Sequence, residues 1–142
     1  MLDTIQTTAS PRDALAVLAA YHRVFAQADF AFGEDTEANG ETGFAYAAEP
    51  TQFVMDAYEF GVVQDPFDWA GWIGTAEAQS LLEDPQALAQ ADQDDLFCLI
   101  TACLRQDRLL PGTMNQWFEE GLLVRILERA SVLLAELPLQ EG

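Results

Sequence analysis

The centre of the predicted fold lies in residues 92–108, which read DQDDLFCLITACLRQDR. From Leu96 to Leu104 the residues are apolar around nearly the whole circumference of a helix, and such a helix is normally central and buried. Asp92, followed three residues later by Asp95, resembles a capping box at the start of that helix. We therefore expect a buried helix here, with the rest of the chain packed around it.

Helical signals continue on both sides of this segment. Apolar residues recur three and four positions apart, and Ser, Asp or Pro marks several starts. The further helices are predicted from Pro11 to about Gln27, from Pro50 to near Gly61, from Asp68 to about Ala76, as one turn at Asp84-Pro85, from Thr113 to Gly121, and from Leu123 to Leu134.

Four of these helices carry side-chain predictions that a structure can check. Thr113 and Gln116 fit a Thr-x-x-Gln capping box. The apolar stripe of the last helix places Arg125 and Arg129 on its outward face. In the second helix Phe53, Met55, Ala57 and Tyr58 are expected to be partly buried, and in the first helix His22 shares a stripe with Leu15, Leu18 and Phe25.

An acidic, glycine-rich segment separates the first two predicted helices. Phe30 and Phe32 precede the Asn39-Gly40 pair, and Phe44 and Tyr46 follow it. Aromatic residues two apart around a polar turn predict a short β-hairpin over residues 30–46, with an ordered loop as the alternative. The predicted fold is a mainly α single domain over residues 1–142, with five to six helices and residues 1–9 as a flexible N-terminus.

The chain is strongly acidic. It has 24 Asp and Glu residues against six Arg and no Lys, which gives a formal net charge of −18. Between Val24 and Leu104 there is no basic residue, although 16 of the 24 acids lie there. DNA and anionic membranes would be repelled over about 8 Å at physiological salt, and cationic partners attracted. Solubility alone, as in proteins of salty cytoplasms, is slightly favoured over any specific electrostatic function as the explanation of this charge.

Targeting and cysteine signals are sparse. The first ten residues lack the basic residue and apolar run of a signal peptide, and no apolar stretch is long enough to span a membrane, so a cytoplasmic protein is expected. Cys98 and Cys103 are five apart on one helix, about 140° around its axis, and cannot pair there. With a single His and no CxxC spacing, we predict two buried free thiols, no metal site and no cofactor.

Several short patterns occur together in the second half of the chain. They are Trp69 and Trp72 after an acidic turn, Leu82-Glu83-Asp84-Pro85, Leu99-Ile100-Thr101-Ala102, Arg105, Asp107-Arg108, Gly112, Gly121, and Ile126-Leu127 followed by Arg129. Together they resemble an uncharacterised bacterial family known only as a domain of unknown function. Its hallmark is a Leu-x-Thr-Ala helix leading into an Arg-x-(Glu/Asp)-Arg-Phe-x-x-Gly turn, from which Leu109 and Pro111 depart here. The resemblance implies a fold and no activity.

Arg105, Asp107 and Arg108 form the most concentrated polar motif. Two guanidinium groups beside a turn could hold a phosphate or a carboxylate bidentately. The favoured alternative is that they staple the buried helix to the next short helix through ion pairs, because acids outnumber bases four to one. His22 is a weaker candidate, since a lone His on an apolar stripe is more often a core residue than a general base.

Three functions stay open. The best supported is a non-catalytic interaction module whose acidic face docks on a basic protein partner, with affinity from a small apolar centre. The expected contributors to that face are Glu34, Asp35, Glu37, Glu41, Asp92, Asp94 and Asp95. The alternative is a nucleic-acid mimic that inhibits a DNA-binding defence or regulatory protein. The third is an enzyme using the Arg105/Asp107/Arg108 turn, which lacks an identifiable nucleophile, metal set or phosphate loop. We expect no direct nucleic-acid or membrane binding; partner and oligomeric state stay open.

Overall fold

The helices and the hairpin occur along the chain in the order that the sequence patterns predict. The computed structural model describes residues 11–137, which form eight α-helices and one two-stranded antiparallel sheet. The elements are α1 (Pro11–Phe25), β1 (Gly33–Ala38), β2 (Glu41–Tyr46), α2 (Ala48–Glu59), α3 (Trp69–Ile73), α4 (Ala76–Glu83), α5 (Pro85–Leu88), α6 (Gln93–Leu109), α7 (Thr113–Glu119) and α8 (Leu122–Glu136). The mainly α prediction with one hairpin is confirmed. The predicted flexible segment 1–9 lies outside the described residues.

Helix α6 is buried along its middle, as its sequence predicts. Leu96, Leu99 and Ile100 are fully enclosed. The predicted capping box is confirmed, because Asp95 N donates to Asp92 Oδ1 at 2.8 Å and Asp92 N donates to Asp95 Oδ2 at 3.3 Å. Each fully buried Leu or Ile contributes about 1.5–3 kcal/mol to folding. Helix α6 is therefore stabilised both by its N-terminal capping box and by the burial of its side chains.

Helices α1 and α8 pack against each other. Leu15 and Leu18 of α1 are buried in the same cluster as Ile126 and Leu127 of α8. Residues three and four apart share one side of a helix, so each helix presents one apolar stripe to the core. His22 lies on the α1 stripe but is only half-buried, in the last turn of the helix.

The hairpin turns at two residues, Asn39 and Gly40. Both have positive φ, 52° and 80°, as a type I′ turn requires, and Asn-Gly is the pair that adopts this conformation most readily. The register pairs Ala38 with Glu41 next to the turn and Gly33 with Tyr46 at the open end. The predicted hairpin is confirmed, and its strands are a little shorter than residues 30–46.

Aromatic rings attach the open end of the hairpin to the helices. Phe32, just before β1, stacks on Phe118 of α7 with 4.3 Å between ring centroids. Edge-to-face contacts join Phe32 to Phe25 of α1 and to Tyr46 of β2. Such ring pairs add about 0.5–1.5 kcal/mol each beyond the burial of their area. The hairpin base is thus part of the core, while its turn extends away from it.

Several detailed predictions are wrong. The N-cap of α7 is Gly112, and the Thr113 hydroxyl donates to Leu110 O, so no Thr113 capping box forms. Met55 is 58% exposed, because it lies about 200° around α2 from the buried Phe53. Tyr58 is 41% exposed, and Cys98 is only half-buried.

The two arginines of α8 are also placed differently from the prediction. Arg125 and Arg129 are partly buried rather than directed outward. Arg129 Nε donates to Ala91 O at 2.8 Å, which ties α8 to the loop between α5 and α6. The stripe analysis missed this because α5 packs on the side of α8 next to its main buried face.

Candidate functional site

Asp107 joins three segments in the last turn of α6. Its Oδ1 accepts hydrogen bonds from Tyr46 OH at 2.5 Å, from Gly112 N at 3.1 Å and from Met114 N at 3.0 Å. The Tyr46 hydroxyl oxygen in turn accepts from Asn115 N at 3.3 Å. The hairpin, the end of α6 and the start of α7 are therefore held together by one carboxylate and one phenol, which we call the Asp107–Tyr46 junction.

The junction exists because α7 begins without a side-chain cap. Its N-cap, Gly112, has φ 103° and no side chain, so the first N–H groups of α7 need acceptors from elsewhere. Asp107 and Tyr46 supply them. Burial and the hydrogen bond to Asp107 raise the pKa of Tyr46 well above its usual value, so the phenol stays protonated as a donor.

Arg105 and Thr101 hold a different segment. The Thr101 hydroxyl donates to Phe97 O at 2.7 Å and accepts from Gln64 N at 2.9 Å. One turn later Arg105 lies 3.6 Å from Asp65 Oδ1, with its guanidinium carbon 5.9 Å from the Tyr58 ring centroid. The Asp65 side chain is 78% exposed, so this ion pair contributes little. This face of α6 anchors the loop after α2.

Arg108 is exposed. In the part of the chain that the structure describes, its side chain makes no hydrogen bond or ion pair. The three residues of the polar motif therefore have separate surroundings, and the stapling of α6 to α7 is made by the Asp107 carboxylate rather than by an arginine.

The four hairpin acids divide between the two sides of the sheet. Successive side chains of a strand point to opposite faces. Asp35 and Glu37 share a face with Phe44, which is paired with Asp35 in the register, and with Tyr46. The other two predicted acids of the hairpin, Glu34 and Glu41, lie on the opposite face, and all four are exposed.

A groove of about 520 Å³ separates the Asp35/Glu37 face from the turn before α7. Its lining includes Asp35, Glu37 and Phe44 from the hairpin, and Pro111 and Asn115 from the other side. Within residues 11–137 neither carboxylate has a cationic group within 4.0 Å. We call this feature the hairpin groove. It combines two unneutralised charges with an aromatic side chain.

The remaining predicted acids lie at the other end of α6. Asp92 and Asp95 form the capping box, Asp94 is exposed, and Glu77 of α4 approaches Asp95. Burial, together with the charges of Asp92 and Glu77, raises the pKa of Asp95 to about 6. Twelve residues separate Asp95 from Asp107, about 18 Å along the helix. The seven acids thus form two groups rather than one continuous face.

Other candidate groups have surroundings that disfavour chemistry. Burial and nearby carboxylates raise the pKa of Cys98 to about 11, and burial raises that of Cys103 well above its usual value. Little thiolate is then present at neutral pH, and the thiolate is the reactive form. Among the residues described, no three His, Cys, Asp or Glu side chains are arranged to hold a metal ion, and no helix there is long and apolar enough to cross a membrane.

Sequence reasoning missed two features. The role of Tyr46 has no local signal, since its partner Asp107 lies 61 residues away. The second is a cavity of about 300 Å³ between α5 and α8 that Arg125 and Arg129 line together with Leu88. The Ile126-Leu127-x-Arg129 pattern marked this helix, but not the direction of its arginines.

Comparison with known proteins gives one family match, which covers nearly all of the described residues. No curated protein and no solved structure matches the chain. A family model described as a family of unknown function (DUF6508) matches residues 10–136. That range includes α1 and the hairpin as well as the Thr101 and Asp107 patterns in the second half. The chain therefore belongs to this family, whose description assigns no activity.

Proposed function

We propose that this protein is a non-catalytic interaction module that binds a basic segment of a partner protein in the hairpin groove. The observation that carries the proposal is the pair of unneutralised carboxylates, Asp35 and Glu37, beside Phe44 in that groove. Two adjacent charges suit Lys or Arg side chains, and an aromatic residue among them supplies apolar contact.

The attachment of the hairpin supports this use. The Asp107–Tyr46 junction and the stacked Phe32 and Phe118 rings attach the open end of the hairpin to α6 and α7 before a partner arrives. A preformed groove avoids the ordering cost that a flexible loop would incur on binding. The charge of the whole chain then mainly raises the association rate of a basic partner.

The experiment is affinity capture from nuclease-treated host lysate with three baits, quantified by mass spectrometry. They are the wild-type protein, the double variant Asp35→Asn/Glu37→Gln, and the control Glu59→Gln/Glu136→Gln, which makes the same charge change on exposed sites of α2 and α8. We expect a basic protein whose capture falls about tenfold with the hairpin variant and stays near wild type with the control.

Two outcomes would contradict the proposal. Equal losses with both double variants would indicate attraction to overall charge rather than a groove. Displacement of the captured protein by duplex DNA would favour nucleic-acid mimicry, which the sequence leaves open. With the purified partner, binding that weakens from 50 to 500 mM NaCl and is insensitive to DNA is the expected result.

A further inference from the structure

We infer that the cavity between α5 and α8 binds a small organic monocarboxylate with an apolar body, through Arg125 and Arg129. The cavity is about 300 Å³, at the lower end of the range for small-molecule sites. Pro85, Leu88 and Val132 supply apolar walls beside the two guanidinium groups. The site is separate from the hairpin groove, and the inference does not depend on the proposed function.

The charges of this cavity are unusual for the chain. Two of the six arginines of the protein line this one cavity, although acids outnumber bases four to one in the sequence. Within residues 11–137 no carboxylate oxygen lies within 4.0 Å of either guanidinium group. In a protein of net charge −18, arginines with no ion pair to the described residues are where an anion from solution can be accommodated.

The hydrogen bonds of the two arginines are also incomplete. Arg129 uses Nε for Ala91 O, and its other N–H groups make no hydrogen bond to the described residues. Arg125 Nε is buried and has no hydrogen-bond partner among residues 11–137. An anion in the cavity would not reach this enclosed Nε atom. It would accept from the terminal N–H groups of Arg125, which make no hydrogen bond to the described residues.

The lining selects the class of anion. A carboxylate matches the planar fork of a guanidinium group bidentately. Glu128 also lines the cavity, so the two arginines and this carboxylate give the lining a net charge of +1, which a single negative charge neutralises. Val132 is 41% exposed at the cavity and would be covered by a hydrocarbon body. The geometry therefore favours a monoanion with an apolar portion over inorganic phosphate.

The test is titration of the full chain with hexanoate, followed by calorimetry and by amide chemical-shift mapping. Hexanol has the same apolar body without the charge, and inorganic phosphate has charge without the body. We expect saturable binding of hexanoate alone, with shifts at Leu88, Arg125 and Val132. The affinity should fall about tenfold or more in Arg125→Met, as loss of a charge-assisted hydrogen bond predicts.

Matched variants separate binding from folding. Arg108→Met makes the same charge change on an exposed side chain outside the cavity and should bind hexanoate within about twofold of wild type. If Arg125→Met does not fold, Arg125→Lys serves instead, because it keeps the charge and loses the planar fork, and its affinity should fall about threefold to tenfold. Asp35→Asn/Glu37→Gln should bind as wild type.

Four results would overturn the inference. They are the absence of saturable hexanoate binding, equal binding of hexanol, tighter binding of phosphate, and equal effects of Arg125→Met and Arg108→Met.

Discussion

The two ends of helix α6 both carry carboxylates, but in opposite circumstances. At the C-terminal end Asp107 receives three hydrogen bonds on one oxygen, from Tyr46, Gly112 and Met114. At the N-terminal end Asp92, Asp95 and Glu77 approach one another, and the pKa of Asp95 rises to about 6. At the C-terminal end the carboxylate is stabilised by hydrogen-bond donors, whereas at the N-terminal end the carboxylates repel one another.

This difference shows that carboxylate density alone does not identify a role in an acidic protein. Asp107 is explained by the fold, because the N–H groups at the start of α7 require an acceptor. The N-terminal group is only partly explained, since the capping box uses Asp92 and Asp95 but gains nothing from Glu77. The hairpin acids have neither donors nor cations among the described residues, so the fold does not explain their placement.

The largest expected effect is at the C-terminal end. Asp107→Ala leaves the Tyr46 hydroxyl and two backbone N–H groups without their acceptor. We expect the free energy of unfolding to fall by about 3 kcal/mol or more, measured by urea denaturation. Asp107→Asn keeps an acceptor oxygen and should lose roughly half as much, while the nearby exposed Arg108→Ala should lose under about 0.5 kcal/mol. Equal losses in Asp107→Ala and Arg108→Ala would remove the contrast between the ends of α6.

A smaller effect is expected from the partner of Asp107. Tyr46→Phe removes the hydroxyl but keeps the ring against Phe32 and Phe44. Stability should fall by about 1–2 kcal/mol. The hairpin amides should exchange their hydrogens about 5- to 30-fold faster, because the junction holds the hairpin on the helices.

The matched control for this variant is Tyr58→Phe, since Tyr58 is exposed and its ring contact with Arg105 survives. It should leave hairpin exchange unchanged. If Tyr46→Phe accelerated exchange equally throughout α6 and the hairpin, the junction would be acting on global stability and not on the attachment of the hairpin.

Local patterns predicted the elements well. The apolar run from Leu96 to Leu104 identified the buried helix, and Asn39-Gly40 identified the hairpin turn, because both depend on residues close together in the chain. The Asp92 capping box was predictable for the same reason. The capping box predicted at Thr113 does not form. The Asp107 carboxylate of the preceding helix accepts the Met114 N–H at the start of α7 instead.

The candidate site was less predictable because it depends on distant contacts. The groove requires the hairpin register, which places Asp35 and Glu37 together and Glu34 and Glu41 on the other face. The arginine cavity requires α5 to pack beside α8, and no periodicity within α8 indicates that neighbour. Sequence reasoning named Asp35 and Glu37 as candidate binding residues but not their groove, and it placed Arg125 and Arg129 on an outward face rather than in a site.

The smallest expected effect is at the N-terminal end of α6, where removing a carboxylate should raise the stability of the protein rather than lower it. The pKa of Asp95 is raised from 3.8 to about 6, so its protonated form favours folding. That stabilisation is fully present below pH 3.8 and is lost as the pH rises through about 6. Asp95→Asn cannot titrate but keeps an oxygen that accepts from Asp92 N. At pH 8 we expect it to be about 1 kcal/mol more stable than wild type, after allowance for solvent screening.

The same comparison should change with pH. Denaturation at pH 8, 6 and 4 should show the advantage of Asp95→Asn shrinking slightly from pH 8 to 6 and mostly from pH 6 to 4, because between about pH 6 and 3.8 the group binds a proton in the folded protein but not in the unfolded chain. Asp94→Asn makes the same charge change on an exposed neighbour, and its difference from wild type should stay within about 0.5 kcal/mol. If Asp95→Asn were instead destabilising at pH 8, the carboxylate would be contributing to its helix as Asp107 does, and the two ends of α6 would be alike.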